Sequence, residues 1–329
     1  MISKGKSNKS FAIFVRSSYG DLLMIDPLIK FIKRSNPENK ITLFVDDKNS
    51  QLVDFMEHID AFHSIPSKGN KYIYFITNGL KYRKNKYDVS IAAKTGTGSA
   101  NGFFPFILGA KERISYVSNP KKWTDWLINS PIPYNEKIYH KQHYALGVLN
   151  LLEMSFKQVP RYLYPKLNFN HSTTKAKNIN LLVSVSNNRE SCMLSIKTLA
   201  KIINSLGDEI QFHTYISAIE NDFYIAKKLQ NKIIKSSSIK VTPLLKDYII
   251  LLGSMDICFL GEGGGMHMAA ALGIPQVVLF GNTSPITWSP LSSYASVLYD
   301  NKNVNNIPVK KITTILKDKL TEIKENKKY

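Results

Sequence analysis

Short apolar runs alternate along this chain with stretches whose apolar positions recur every three or four residues. Residues 11–15 form one such run, and after a polar loop Leu22, Leu23, Ile25, Leu28, Ile29 and Ile32 trace the buried side of a helix. The pattern returns at residues 41–45 and 89–92 in the first half, and at 181–185, 210–213 and 277–280 in the second. Continuous apolar runs suit parallel strands covered on both faces, so the alternation predicts α/β layers in each half.

The chain has 329 residues, 43% of them hydrophobic, which is enough for two cores of ordinary size. Prolines at 160 and 165 followed by the polar stretch 168–175 read as an interdomain linker. The expected division is a domain at 1–165, a second at 166–308, and a terminal helix at 309–329. In that helix Val309, Ile312, Ile315, Leu316, Leu320 and Ile323 share one face, with lysines between them. A basic helix lying on a membrane is the alternative for this segment, but the apolar face is modest and acidic residues interrupt it.

The densest chemistry lies between Phe259 and Pro290. An apolar strand runs into Gly261, Glu262 and three glycines, and the small residues Ala269, Ala270 and Ala271 follow on a helix that can pack close to the sheet. The first turn of such a helix carries unpaired amides, here those of Gly264, Gly265 and Met266, beside the positive end of the helix dipole. A phosphate is held well in that position. Glycines alone would also suit a crossover with a steric problem. Glu262, His267 and the loop bearing Thr283, Pro285, Trp288 and Pro290 add polar groups at strand ends, where open α/β sheets bind ligands.

This stretch resembles the heptosyltransferases, the family 9 glycosyltransferases of lipopolysaccharide core assembly. Their C-terminal half carries Asp-Thr-Gly-x-x-His-x-Ala-Ala-Ala, then x-x-x-Pro, Phe-Gly-x-Thr-x-Pro and Trp-x-Pro. The matching residues are Glu262, Gly264, His267, Ala269, Ala270, Ala271, Pro275, Phe280, Gly281, Thr283, Pro285, Trp288 and Pro290. Two departures stand out: Glu262 replaces the usual Asp, and Gly263 the usual Thr.

The resemblance implies a GT-B architecture, two Rossmann-like domains facing across a cleft, with the acceptor bound by the first and the nucleotide sugar by the second. It also implies that the terminal helix packs back on the N-terminal domain. The family's Ser-x-Gly-Asp falls on Ser18, Tyr19, Gly20 and Asp21, which makes Asp21 the catalytic base, although a carboxylate at a helix start is more often a cap. The expected transfer is inverting, moving heptose from ADP-heptose to a Kdo or heptose hydroxyl. The family's lysine after the first C-terminal strand is missing, which leaves Arg189 as the charge and Ser186 and Asn187 as neutral donors. Glu220 is the expected ribose carboxylate, with Asp222 as its alternative.

The formal charge of +19 requires an anionic partner or a strongly solvated surface. Basic residues gather at 81–86 and at Lys121 and Lys122, beside Trp123 and Trp126. With Ser18 and the glycine-rich loop starting at Lys94, these are the candidate acceptor contacts, suited to an anionic glycolipid at a membrane surface. No helix-turn-helix, zinc-finger or RNP-type signature accompanies the charge, so nucleic acid is not the expected partner.

No apolar run reaches the roughly 18 residues of a membrane span, and the first apolar stretch stops at Arg16 with no cleavage-like site. The expected location is cytoplasmic, with peripheral attachment to the cytoplasmic face of the inner membrane. Two cysteines and no metal-ligand spacing predict neither a disulfide framework nor a bound metal. No cofactor is expected, since the nucleotide sugar is a substrate. Two alternatives remain: a GT-B enzyme using another nucleotide sugar on a different surface glycan, and a non-catalytic glycolipid-binding relative. The oligomeric state is left open.

Overall fold

The first apolar run becomes β1 (Ser10–Val15), and it lies in the middle of a sheet because both its faces are apolar. The computed structural model describes residues 8–16, 18–169, 178–207 and 209–326. The described chain divides into two units between Pro165 and Lys166.

In the first unit β1 is joined by β2 (Lys40–Asp46), β3 (Ala61–Ile65), β4 (Val89–Ala92), β5 (Glu112–Val117) and β6 (Ser130–Pro133). The order across the sheet is β3-β2-β1-β4-β5-β6, and every pairing is parallel. Helices α1 (Tyr19–Leu23), α2 (Asp26–Ser35), α3 (Lys71–Arg83), α4 (Ser99–Ile107), α5 (Glu136–Tyr139) and α6 (Tyr144–Leu149) connect or cover these strands. One side of the sheet is packed with rings: Phe14 meets Phe75 edge-on at 5.7 Å, and Phe44 meets Phe104 at 5.0 Å.

The second unit repeats the topology. Its strands are β7 (Ile179–Ser184), β8 (Phe212–Ala218), β9 (Ser237–Val241), β10 (Ile257–Gly261), β11 (Gln276–Phe280) and β12 (Ala295–Tyr299). They are ordered β12-β11-β10-β7-β8-β9, again all parallel. Its helices are α7 (Ile196–Asn204), α8 (Phe223–Gln230), α9 (Leu245–Gly253), α10 (Gly264–Ala271), α11 (Pro285–Trp288) and α12 (Val309–Asn326). Counted from its own first strand, each sheet runs 3-2-1-4-5-6, the Rossmann order, in which connections leave in opposite directions from the first and fourth strands. Those switch points are β1/β4 and β7/β10, where Phe259 of β10 registers with Val183 of β7.

Three expectations are made more specific by the structure. The terminal helix uses its apolar stripe within the second unit: Ile312, Leu316 and Leu320 of α12 are fully buried in that unit's core, against α7 and β7. β8 (Phe212–Ala218) is shifted from the apolar run at 210–213: it starts at Phe212 and runs on to Ala218, with Thr214 and Ser217 buried within it. The first part of the expected linker is packed against α2. Leu163 is buried, Lys30 of α2 donates to the Tyr164 carbonyl, and Arg34 lies over the Tyr162 ring at 4.7 Å. The later part of the linker, 170–175, lies outside the described residues.

Candidate active site

Three strand ends of the second unit, those of β7, β10 and β11, converge on one carboxylate. β10 stops at Gly261 and presents Glu262, whose side chain is 4% exposed. Its Oε2 accepts from the Thr283 hydroxyl at 2.9 Å, from the Arg189 guanidinium, and weakly from the Cys192 thiol at 3.8 Å. Burial of a carboxylate is costly unless it is paired and hydrogen-bonded, and here three donors meet that demand. The Glu262 carboxylate is turned inward onto these groups.

The loop after β7 is fastened to this point. Asn187 donates from Nδ2 to the Glu262 carbonyl at 2.8 Å, while its Oδ1 accepts from the Arg189 amide at 3.0 Å. Ser191 donates to Asn282 Oδ1 at 2.8 Å. Ser186 accepts the Ile219 amide at 3.1 Å, which joins this loop to the one after β8 and so to exposed Glu220. Two glycines make the close approach possible: a Cβ on Gly261 would collide with the Cys192 carbonyl, and one on Gly281 with the Ser191 carbonyl. Ser186, Asn187, Arg189, Glu220, Glu262 and Thr283 are thereby gathered at the ends of β7, β8, β10 and β11.

α10 starts immediately after Glu262, with Gly263 as its N-cap. The amides of Gly264, Gly265 and Met266 form its first turn, while the Met266 and His267 side chains are buried. The Met266 carbonyl is held by Gln276 Nε2 at 3.0 Å. Three partly exposed glycines leave the turn bare, and Arg189 stands beside it with about half its side chain exposed, 48%. Together they can stabilise a leaving diphosphate.

Sequence reasoning did not single out Tyr248. Its hydroxyl sits so close to Gly265 that an added Cβ there would collide with it, and burial pushes its phenol pKa upward, so it remains a donor. Nothing in the amphipathic pattern of α9 separates this tyrosine from an ordinary core aromatic. Cys192 was likewise counted only as a free thiol; its carbonyl and thiol both belong to the Glu262 cluster.

In the first unit Asp21 is the third residue of α1, just past β1 at that sheet's switch point. Ser18 donates to Asp21 Oδ2 from its amide at 3.0 Å and from its hydroxyl at 2.9 Å. This is the reciprocal half of a capping box, and it fixes the carboxylate while leaving Oδ1 for another proton. Ser18 thereby orients Asp21, and it is itself exposed. The neighbouring Ser17 lies outside the described residues. Arg16 pairs with buried Asp46 at 2.7 Å across the ends of β1 and β2.

Lys94 is exposed at the end of β4, on the loop leading into α4. Lys122 reaches Thr97 of that loop at 3.5 Å, and Lys121 lies over the Trp126 ring at 4.9 Å. Buried Asp125 supports them, accepting from the amides of Ser118 and Lys122 and from the Ser118 hydroxyl.

A sequence profile of Glycosyltransferase family 9 (heptosyltransferase) matches residues 80–319. The chain is 24% identical over 320 residues to lipopolysaccharide heptosyltransferase 1 of Campylobacter coli, covering 90% of each sequence. Among solved structures it is similar to E. coli ADP-heptose LPS heptosyltransferase II, with a TM-score of 0.77 at 16% identity, covering 95% of this chain and 99% of that one. It is also similar to E. coli heptosyltransferase WaaC with ADP, with a TM-score of 0.73 at 14% identity, covering 94% and 99%. At these identities the structural likeness shows the two-Rossmann-domain GT-B fold.

Proposed function

The chain belongs to glycosyltransferase family 9, and from that premise we propose that it moves heptose from ADP-heptose to a Kdo or heptose hydroxyl of the lipopolysaccharide inner core, with inversion. The observation that carries the donor half is the bare first turn of α10 beside the Arg189 guanidinium, a preorganised place for a diphosphate. The names of the similar proteins support the sugar and the nucleotide: one is a lipopolysaccharide heptosyltransferase, and another was solved with ADP.

In this reading Asp21 accepts the proton of the acceptor hydroxyl as that oxygen attacks the anomeric carbon. The bond from that carbon to the diphosphate oxygen breaks on the opposite face, and the electron pair leaves with the diphosphate. Arg189 and the amides of Gly264, Gly265 and Met266 receive the developing charge. Glu220 is the proposed ribose contact, and Ser186, Asn187, Thr283 and His267 hold the site in shape. The acceptor is an anionic glycolipid, with Lys94, Lys121 and Lys122 as its proposed electrostatic contacts. No bound cofactor or metal enters the proposal.

A second reading, another nucleotide sugar, draws on Glu262 and Gly263. With Glu262 turned inward, and a Cβ on Gly263 meeting only Asn187 Nδ2 at 3.8 Å, the sugar pocket differs from the family's Asp-Thr pattern. The test is release of nucleotide diphosphate from ADP-heptose with a Kdo-lipid A acceptor, comparing the intact protein with Asp21→Ala. Release that depends on acceptor and disappears in the variant supports the proposal. No release from ADP-heptose, with turnover of another nucleotide sugar, would replace it by the second reading.

A further inference from the structure

Tyr248 is a polar group for which the transfer chemistry above has no use. It lies in the first turn of α9, the helix that leaves the end of β9 and crosses back to the start of β10. Because the strands of the second sheet are all parallel, the first turns of α9 and α10 lie at the same end of that sheet, the end that carries Glu262 and Arg189. α9 packs on α10. At their contact a Cβ added to Gly265 would come within 2.5 Å of the Tyr248 oxygen. Glycine is required there by the hydroxyl, and the hydroxyl is set against the residue that carries the middle one of the three bare amides.

A phenylalanine would fill the same volume, so packing does not call for the oxygen. Among the described residues the Tyr248 hydroxyl has no hydrogen-bond partner, and it is not sealed from solvent. Burial, with a smaller effect of the Cys258 thiol, pushes its pKa upward, so the proton stays on the oxygen throughout the neutral range. The result is a neutral donor with nothing in the protein to donate to. Tyr248 also lies outside the motif residues shared with the family.

The turn it faces has little net positive charge to offer. Arg189, the cation of the cluster, is already paired with the buried Glu262 carboxylate, so at a distance the two cancel. A diphosphate carries several negative charges, and fixed neutral donors must supply the remaining stabilisation. We propose that Tyr248 is one of them, donating its phenolic O–H to a non-bridging oxygen of the nucleotide diphosphate seated on the first turn of α10. Such a bond strengthens as charge gathers on the departing diphosphate, so it acts on turnover as well as on binding. This role rests on the donor-site reading of α10 given above and adds a residue to it.

The experiment is calorimetric titration of the full chain and of Tyr248→Phe with ADP, UDP and GDP and with the three corresponding nucleosides, beside thermal unfolding. The variant is expected to bind the preferred diphosphate about 10–100-fold more weakly, the loss of a hydrogen bond to a charged group. It should bind the matching nucleoside unchanged and unfold at the same temperature or higher, since it removes only an oxygen without a protein partner. In transfer assays kcat should fall as well. Equal diphosphate affinity in the two proteins overturns the proposal. So does an equal loss for nucleoside and diphosphate, which would put the hydroxyl on the ribose or base, or a lowered unfolding temperature, which would make it a structural support. A preference of the intact protein for UDP or GDP would overturn ADP-heptose as the donor, while the Tyr248 effect, read with that nucleotide, would stand. Binding of none of the three would overturn this role together with the donor site.

Discussion

Arg189 and Glu262 form an ion pair of unequal exposure: the carboxylate side chain is 4% exposed and the guanidinium side chain 48%. The acid is an internal support and the base is the group presented to solvent. Arg189 lies on the loop that leaves β7 and Glu262 at the end of β10, adjacent strands whose connections diverge, so the pair bridges the second sheet's switch point.

Arg189→Ala should therefore weaken binding of the nucleotide diphosphate by about 1.5–3 kcal/mol, the range for a hydrogen bond to a charged group. Arg189→Lys should recover only part of this, because an ammonium lacks the planar fork. Glu262→Gln should weaken nucleotide binding by a similar route, through a mispositioned Arg189. Calorimetric titration with ADP reads all three, and unchanged affinity in Arg189→Ala would remove this residue from the donor site.

Ser18 and Asp21 offer a second separation of roles. Asp21→Ala should lower kcat by about 10²–10⁴-fold, the usual contribution of a positioned general base. Ser18→Ala keeps the carboxylate but frees its rotamer. It should cost about 0.5–2 kcal/mol of stability as a lost cap, together with a smaller fall in kcat than Asp21→Ala. Steady-state kinetics beside thermal unfolding distinguish the two; equal losses of kcat would mean Ser18 does more than orient its neighbour.

Gly261 and Gly281 are constrained by carbonyls rather than by their own dihedral angles. Alanine at either should destabilise the protein by about 1–3 kcal/mol through overpacking. It should also push the Ser191 and Cys192 backbone away, loosening Arg189. Gly263→Ala, whose Cβ would make only an ordinary contact with Asn187 Nδ2 at 3.8 Å, should do neither. Denaturant midpoints for the three variants check the ranking.

Asp88 gives a pH signature. The Lys111 ammonium and the Ser10 amide and hydroxyl hold its carboxyl below the usual carboxylate range. A lowered folded-state value stabilises above the unfolded value of about 3.9, and the contribution is lost as pH falls through the folded value. The stability difference between the protein and Asp88→Asn should be constant above about pH 5 and shrink below about pH 4. Urea unfolding across that range measures it, and a difference independent of pH would contradict the pairing.

The central strands were legible because they are buried on both faces. Residues 11–15 and 277–280 are continuous apolar runs, 41–45 and 89–92 are broken only by Thr42 and Ser90, and each lies within a strand. Edge strands such as β3, where Phe62 and Ser64 face solvent, carry no comparable run. The glycine run before α10 could be read as a bare helix start because its spacing is local. The inward turn of Glu262 could not be read, since its partners lie 73 and 21 residues away and no period connects them. The placement of α12 could not be read for a related reason: an amphipathic stripe specifies that a face is buried, not against which core.

The loop after β7 is tied at Ser186, Asn187, Arg189 and Ser191, and is seated on two glycines. Its conformational entropy is therefore surrendered when the chain folds rather than when a ligand arrives. A nucleotide meeting such a wall should bind with little ordering of the protein, so the calorimetric entropy of ADP binding should resemble that of a rigid pocket. Mutations that untie the loop would then transfer that ordering cost to the binding step, and affinity would fall even where every contacting side chain is retained.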